Sequence, residues 1–225
     1  MRKIVKFLAL FLLMVVAIWI VGRITGGFQL YNVSTPANEP TLKTGSKFFA
    51  SGFIQPARFD FVCFMGYVPY FNKTELSVYR VCGVGGDTVE IKDGDLYVNS
   101  SMVDTNFRIQ HFYKISNKDT GEIPEEVSTK SDAFIGISGD SSMVLLEDKW
   151  VIRQGLKGVR YKGEDGNKEI FNKFSKPWTP DHFGPLVVPE NSYFVLGDNR
   201  HNAYDSRYRG FVSKDSVVAT VLWKH

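Results

Sequence analysis

The stretch "SVYRVCGVGGDTVEIKDGDLYVN" (77–99) decides what kind of fold this chain makes. Its apolar residues are Val, Ile, Leu and Tyr, types that suit a pleated, half-buried surface, and they come in short runs. Gly85-Gly86 breaks the runs once and Asp93-Gly94 breaks them again. Asp-Gly between two strand-like flanks supplies the positive φ angles of a tight hairpin turn, so "IKDGDLYVN" predicts a β-hairpin. Working outward, "FDFVCF" (59–64), "SMVLL" (142–146), "YFVLGD" (193–198) and "SVVATVLW" (216–223) are of the same kind, bounded by Gly, Asp, Asn or Pro. No long stretch after Gly22 carries helical periodicity, and nothing repeats at a solenoid period. The body is therefore expected to be mostly β.

The bulk numbers agree with a folded domain and exclude little else. Hydrophobic residues make up 44% and charged residues 23% of the 225 positions, which argues against long disorder. A net charge of +3, partly at the extreme N-terminus, carries no nucleic-acid signature. Cys63 and Cys82 cannot make a zinc site alone. A disulfide between them and a pair of buried free thiols both fit the composition.

The stretch "FLALFLLMVVAIWIVG" (7–22) carries no charge. With Ile4 and Val5 added and Lys6 reaching to the interface, it approaches the roughly 20 residues that a helix needs to cross a bilayer. It is long for a cleavable signal peptide, and no A-x-A-like site follows it, so an uncleaved anchor is expected. Arg2, Lys3 and Lys6 lie before it and Arg23 alone just after it. The positive-inside bias then puts the N-terminus in the cytoplasm and the remaining chain outside, on a single-pass plasma (inner) membrane protein.

Composition shifts in the middle of the chain. Segments such as "SNKDTGEIPEEVSTKSD" (116–132) and "KGEDGNKEIFNKFSKP" (162–177) are more polar and suggest no catalysis. The expected division is 1–23 for the cytoplasmic tip and anchor, 24–103 for the first part of the β core, 104–180 for an inserted subdomain, and 181–225 for the rest of the core.

Three separated strings, "STPANEPTL" (34–42), "VYRVCGVGGDTVEI" (78–91) and "LGDNRHNAYDSRYRGFV" (196–212), resemble in order and spacing three boxes of type I signal peptidases, and "ARFDFVCF" (57–64) resembles a fourth. The resemblance implies an antiparallel signal-peptidase-like β core behind a membrane anchor. It also implies a serine endopeptidase chemistry that cuts secreted preproteins after small residues, with a Ser/Lys pair and no cofactor or metal. In such a pair the lysine must be neutral to take the serine proton, so its pKa must fall from about 10.4 by several units through burial. A second hydroxyl orients the amine, and an oxyanion hole holds the developing charge.

Carried over position by position, the resemblance puts Ala37 where the nucleophilic serine stands, Tyr79 where the lysine base stands and Ala203 where the lysine-orienting serine stands. Thr35 matches the oxyanion hydroxyl. Asn38 replaces the usual Met, and with Pro40 it belongs to the substrate loop. Gly197, Asp198, Asn199 and Arg200, with the ion pair of Asp205 and Arg207, match the wall behind the dyad. Three catalytic side chains are absent together, so the chain is expected not to cleave.

Substitutes for the dyad are poor. In an extended segment Thr35 points to the same side as Ala37 but lies about 7 Å away. His201 has no nucleophile at the matched position and reads as an exposed turn histidine. A tyrosine of ordinary pKa near 10 is no base at neutral pH, and Tyr79 reads as a ring filling the lost lysine's space. Three functions follow. The first is a non-cleaving protein of the export pathway that binds signal peptides or preproteins as extended segments beside membrane lipid. The second is an active signal peptidase with an unorthodox nucleophile. The third is an accessory scaffold that meets another membrane protein through 104–180.

Overall fold

The computed structural model describes residues 2–24, 26–69, 72–123, 134–162 and 166–222. Helix α1 (Arg2–Ile24) contains a span of 20 residues, Lys3–Gly22, that is long and apolar enough to cross a membrane. Residues 3–21 are all exposed rather than packed against the rest of the chain, so their apolar side chains are left for another solvent.

The body is built from antiparallel strands. The largest sheet runs in the order β1 (Gln29–Asn32), β2 (Lys47–Ser51), β15 (Val217–Val221), β3 (Phe61–Val68), β4 (Lys73–Val84), β13 (Ser192–Leu196) and β14 (Val212–Ser213). A second sheet runs β12 (Phe183–Val187), β5 (Thr88–Lys92), β6 (Asp95–Val98) and β7 (Ser101–Met102). The β5–β6 turn has Asp93 at φ 53° and Gly94 at φ 86°, the two positive angles that Asp-Gly supplies. A third sheet, in the order β11 (Gly158–Arg160), β8 (Gln110–Ser116), β10 (Ser141–Glu147) and β9 (Phe134–Ser138), lies within 104–180. It has its own apolar cluster, in which Ile115, Val144 and Leu146 of the strands meet Val151 of helix α2 (Asp148–Gln154). Helix α3 (Lys168–Phe174), from the same stretch of sequence, instead buries Ile170 among Val89, Leu96 and Phe194 of the second sheet and β13. Parts of the two polar segments (124–133 and 163–165), and Trp223 at the end of the expected last strand, lie outside the described residues.

Strand β3 explains why its "FVCF" run reads as continuously apolar rather than alternating. All of Phe61–Phe64 is buried, because both faces of the sheet are covered here. Val62 and Phe64 face a cluster containing Ala37, Tyr79 and Val81, while Phe61 and Cys63 face one containing Val33, Phe48 and Ala219. The ladder pairs Val62 with Tyr79 and Cys63 with Val78. Cys82 therefore sits four residues along β4 from the partner of Cys63, roughly 13 Å at strand rise, about twice the reach of a disulfide. Both cysteines are buried free thiols.

Candidate functional site

The site is assembled where β4 meets two loops. Residues Pro36–Asn38 form a single 3₁₀ turn entered from Thr35 in an extended conformation (φ −133°, ψ 153°). The segment is not extended through Ala37, as expected from sequence, because Pro36 supplies the φ that opens a helical turn. The turn is held from two sides. Asn38 Nδ2 donates to the Val78 carbonyl at 2.7 Å, and Asn199 donates its backbone N–H to the Ala37 carbonyl and Nδ2 to the Pro36 carbonyl, each at 3.1 Å.

Gly197 lies directly beneath. A Cβ there would fall 2.3 Å from the Ala37 carbonyl oxygen and 2.5 Å from the Ala203 Cβ, so no side chain fits between these two loops. The result is that Ala37, Tyr79 and Ala203 line one groove of about 510 Å³, with Ser34 and Thr35 exposed at its rim. Asn38 and Pro40 do not line it. Asn38 is buried as a strut, and Pro40 borders a separate cavity with Arg58, Arg80 and Phe107.

Behind the groove stands a layer of buried, fully paired charges. Arg80 binds Asp198 through Nε at 2.8 Å and Nη2 at 2.6 Å, with its guanidinium between the Phe61 and Phe107 rings. Arg200 binds Asp104 with both Nη atoms and donates Nε to the Gly197 carbonyl. Arg207 binds Asp205 at 2.8 and 2.9 Å, and Asp205 also accepts the Gly197 N–H at 3.1 Å. Such pairs contribute little net stability when made but cost several kcal/mol when one partner is removed, so they act as registration points for the loops. Asp87, after the positive-φ Gly86, plays the same part outside this layer. Despite partial desolvation its carboxyl is held below the usual carboxylate range by the Val84 N–H, Asn99 and Arg58.

The chemistry available in the groove is limited. Ala37 presents a methyl group and is itself buried. Tyr79 is 8% exposed, and burial pushes its hydroxyl up to about 12, with the Asp205 charge adding to the rise against opposing contributions from Arg209 and the Tyr204 backbone. It is therefore protonated at neutral pH and takes no proton from a neighbour. His201 is not the exposed turn histidine that its setting in the sequence suggests. Its side chain is only 8% exposed, its Nδ1 accepts the Phe112 N–H at 2.9 Å, and its Nε2 lies 3.0 Å from Asp181. An Nδ1 that accepts leaves the proton on Nε2, facing the carboxylate, so one ring nitrogen ties this loop to β8 and the other to Asp181, just before β12. No lysine lines the groove among the described residues.

Ser77 and Arg209 are among the groove residues that the sequence does not single out. Ser77 lies two positions before Tyr79 and so on the same face of β4, and Arg209 ends the short helix α4 (Ser206–Arg209). Arg209 donates Nη1 to Ser77 Oγ at 3.2 Å and holds its guanidinium 5.4–5.9 Å from the ring centres of Phe64, Tyr79 and Tyr204. The signal for it was the second arginine of "DSRYRG", but a helix of four residues offers no periodicity by which to say which arginine turns inward.

Comparison with known proteins gives concordant results. A family model described as signal peptidase, peptidase S26, matches residues 1–225. Signal peptidase I V of Bacillus subtilis (strain 168) is 26% identical over 225 aligned residues, covering 98% of each chain. Signal peptidase I S of the same strain is 28% identical over 144 residues, which is 64% of this chain but only 48% of that protein, so this chain spans about half of its length in that match. A crystal structure of a signal peptidase I from Enterococcus faecalis V583 is 24% identical and covers 74% of this chain and 97% of its own, with a TM-score of 0.35.

Proposed function

Because the chain belongs to the signal peptidase family, peptidase S26, we propose that it serves the signal-peptide branch of protein export as a binder that does not cleave. Family membership supports a role in signal-peptide processing. The observation that carries the finer reading is the meeting of Ala37, Tyr79 and Ala203 on one groove. Acyl transfer needs a nucleophile with a lone pair and a group to take its proton. The groove offers a methyl where the first belongs and a protonated phenol where the second belongs.

The groove retains what an extended segment needs. The stretch 75–78 of β4 pairs with β3, whereas β13 takes up the other edge of β4 only from Arg80 to Val84, and Asn38 caps the Val78 carbonyl, so the open length ends at Ser77. That leaves a length of backbone beside Ala37 to which a peptide strand adds by main-chain hydrogen bonds. Thr35 remains at the rim in the place matched to an oxyanion hydroxyl, and the paired charges keep both loops in register. The apolar span Lys3–Gly22 fits a single-pass anchor, and Lys3 and Lys6 at its start favour a cytoplasmic N-terminus with the β body on the far side.

The test uses the full-length chain in detergent and a preprotein with a small-x-small site, beside the triple variant Ala37→Ser, Tyr79→Lys, Ala203→Ser. The expected result is a silent natural chain and a triple variant that cuts at the bond after the small residue. Cleavage by the natural chain overturns the non-cleaving reading. Failure of a photo-crosslinking signal peptide to label the groove strands overturns the binding reading.

A further inference from the structure

Arg209 is an exception among the arginines packed around this site. Arg80, Arg200 and Arg207 each close on a carboxylate, Asp198, Asp104 and Asp205 respectively. Arg209 has no carboxylate within ion-pair distance among the described residues. Its contacts are one hydroxyl, Ser77 Oγ, and three aromatic rings, and its Nε is buried with no acceptor. Tyr79, whose ring it faces, stays protonated and so brings no negative charge. Glu75 of β4, which also lines the groove, is paired with Lys73 at 2.5 Å. A half-buried guanidinium without a counter-ion is a poorly compensated charge, and it lines the groove on which Ala37 and Ala203 also open.

We propose that this groove selects extended peptide segments that bring a carboxylate to Arg209, and that Arg209 is the residue that sets this preference. The inference rests on the peptide-groove reading above. A carboxylate seated there gives Arg209 the counter-ion it lacks among the described residues and accepts from the Nη atoms of its planar fork, while the aromatic rings keep the fork in place. The carboxylate has two possible sources with the same chemistry, an Asp or Glu side chain within the segment or a free chain end. The small residues Ala37 and Ala203 leave the neighbouring positions of the peptide little to distinguish beyond size, so charge is the main discriminator in the groove.

The experiment measures binding of fluorescent peptides to the full chain in detergent by anisotropy. Three peptides share one small-residue sequence: neutral with an amidated end, the same with one central Asp, and neutral with a free terminal carboxylate. The natural chain is expected to bind at least one of the two acidic peptides about tenfold more tightly than the neutral one, the size of one charge-assisted pair, and the arm that shows the gain identifies the source. Arg209→Gln is expected to abolish that preference, so that the three peptides bind alike whatever their common affinity, and Arg209→Lys to retain part of it. Equal affinity of the natural chain for all three peptides overturns the inference alone, a comparison that needs no variant to fold. A preference that persists in Arg209→Gln also overturns it. Binding of none of the peptides overturns both this inference and the groove reading.

Discussion

Asn38 hangs the turn that carries Ala37 from the strand that carries Tyr79, through a 2.7 Å hydrogen bond from its side-chain amide to the Val78 carbonyl. Asn38 is 1% exposed, so the bond is made away from water. Replacing it with alanine leaves the Val78 carbonyl unsatisfied and removes one of the two supports of the turn. Asn38→Ala is therefore expected to lower stability by about 1–3 kcal/mol, the usual cost of orphaning a buried polar group. Denaturant unfolding of the full chain in detergent reads this directly. In the triple variant with a restored serine, the same change is expected to abolish cleavage, because the serine then sits on an unsupported turn.

Gly197 is the second structural condition of the site. Its absent Cβ leaves room for the Ala37 carbonyl oxygen, and backbone atoms cannot swing aside as a side chain can. Gly197→Ala is expected to push the two loops apart, with a loss of about 1–3 kcal/mol typical of overpacking and a weaker groove for peptide. A variant that unfolds at the natural midpoint and binds peptide unchanged contradicts this.

The strands were legible in the sequence and the site only partly so, for physical reasons. A hairpin such as 88–98 is specified by neighbours, since Asp93-Gly94 and the flanking β-branched residues act within a few positions of one another. The runs at Phe61–Phe64 and Tyr193–Leu196 declare burial through composition alone. Ala37, Tyr79 and Ala203, picked out by the spacing of the boxes around them, do line one groove. By contrast, the partners of His201 lie 20 and 89 residues away, so nothing local distinguished it from an exposed histidine. Arg209 was invisible for the same reason, as its role depends on Ser77 and Phe64 arriving from other strands. Residues Pro36–Asn38 form a turn rather than the expected extended segment because Pro36 fixes a helical φ at its first position.

The two cysteines lead to a redox prediction. Burial pushes both thiols up to about 12, and they occupy different apolar clusters. A thiolate is the reactive species, so neither is expected to react with a thiol reagent in the native state at pH 8, and both are expected to react in denaturant. Mass spectrometry of the alkylated chain under non-reducing conditions counts them. A 63–82 cross-link in the native protein would contradict the strand register.

Tyr79 makes the fold's stability depend on alkaline pH with a definite sign. Burial first, and then the Asp205 charge, raise its hydroxyl from the ordinary 10.0 to about 12. The folded state thus keeps a proton that the unfolded state releases as pH passes 10. The unfolded chain binds fewer protons across that window, so stability falls as pH rises from about 10 to about 12 and levels off above it. Below pH 10 both states are protonated and the contribution is fully present. Other buried tyrosines, Tyr113 among them, titrate in the same region, so the difference between the natural chain and Tyr79→Phe isolates this one group. That difference is expected to be flat to pH 10 and then to shift by about 2–3 kcal/mol in favour of Tyr79→Phe by pH 12. A difference that stays flat throughout means that the Tyr79 hydroxyl reaches water. In that case burial does not hold the Tyr79 proton, and the hydroxyl exchanges it with solvent in the groove.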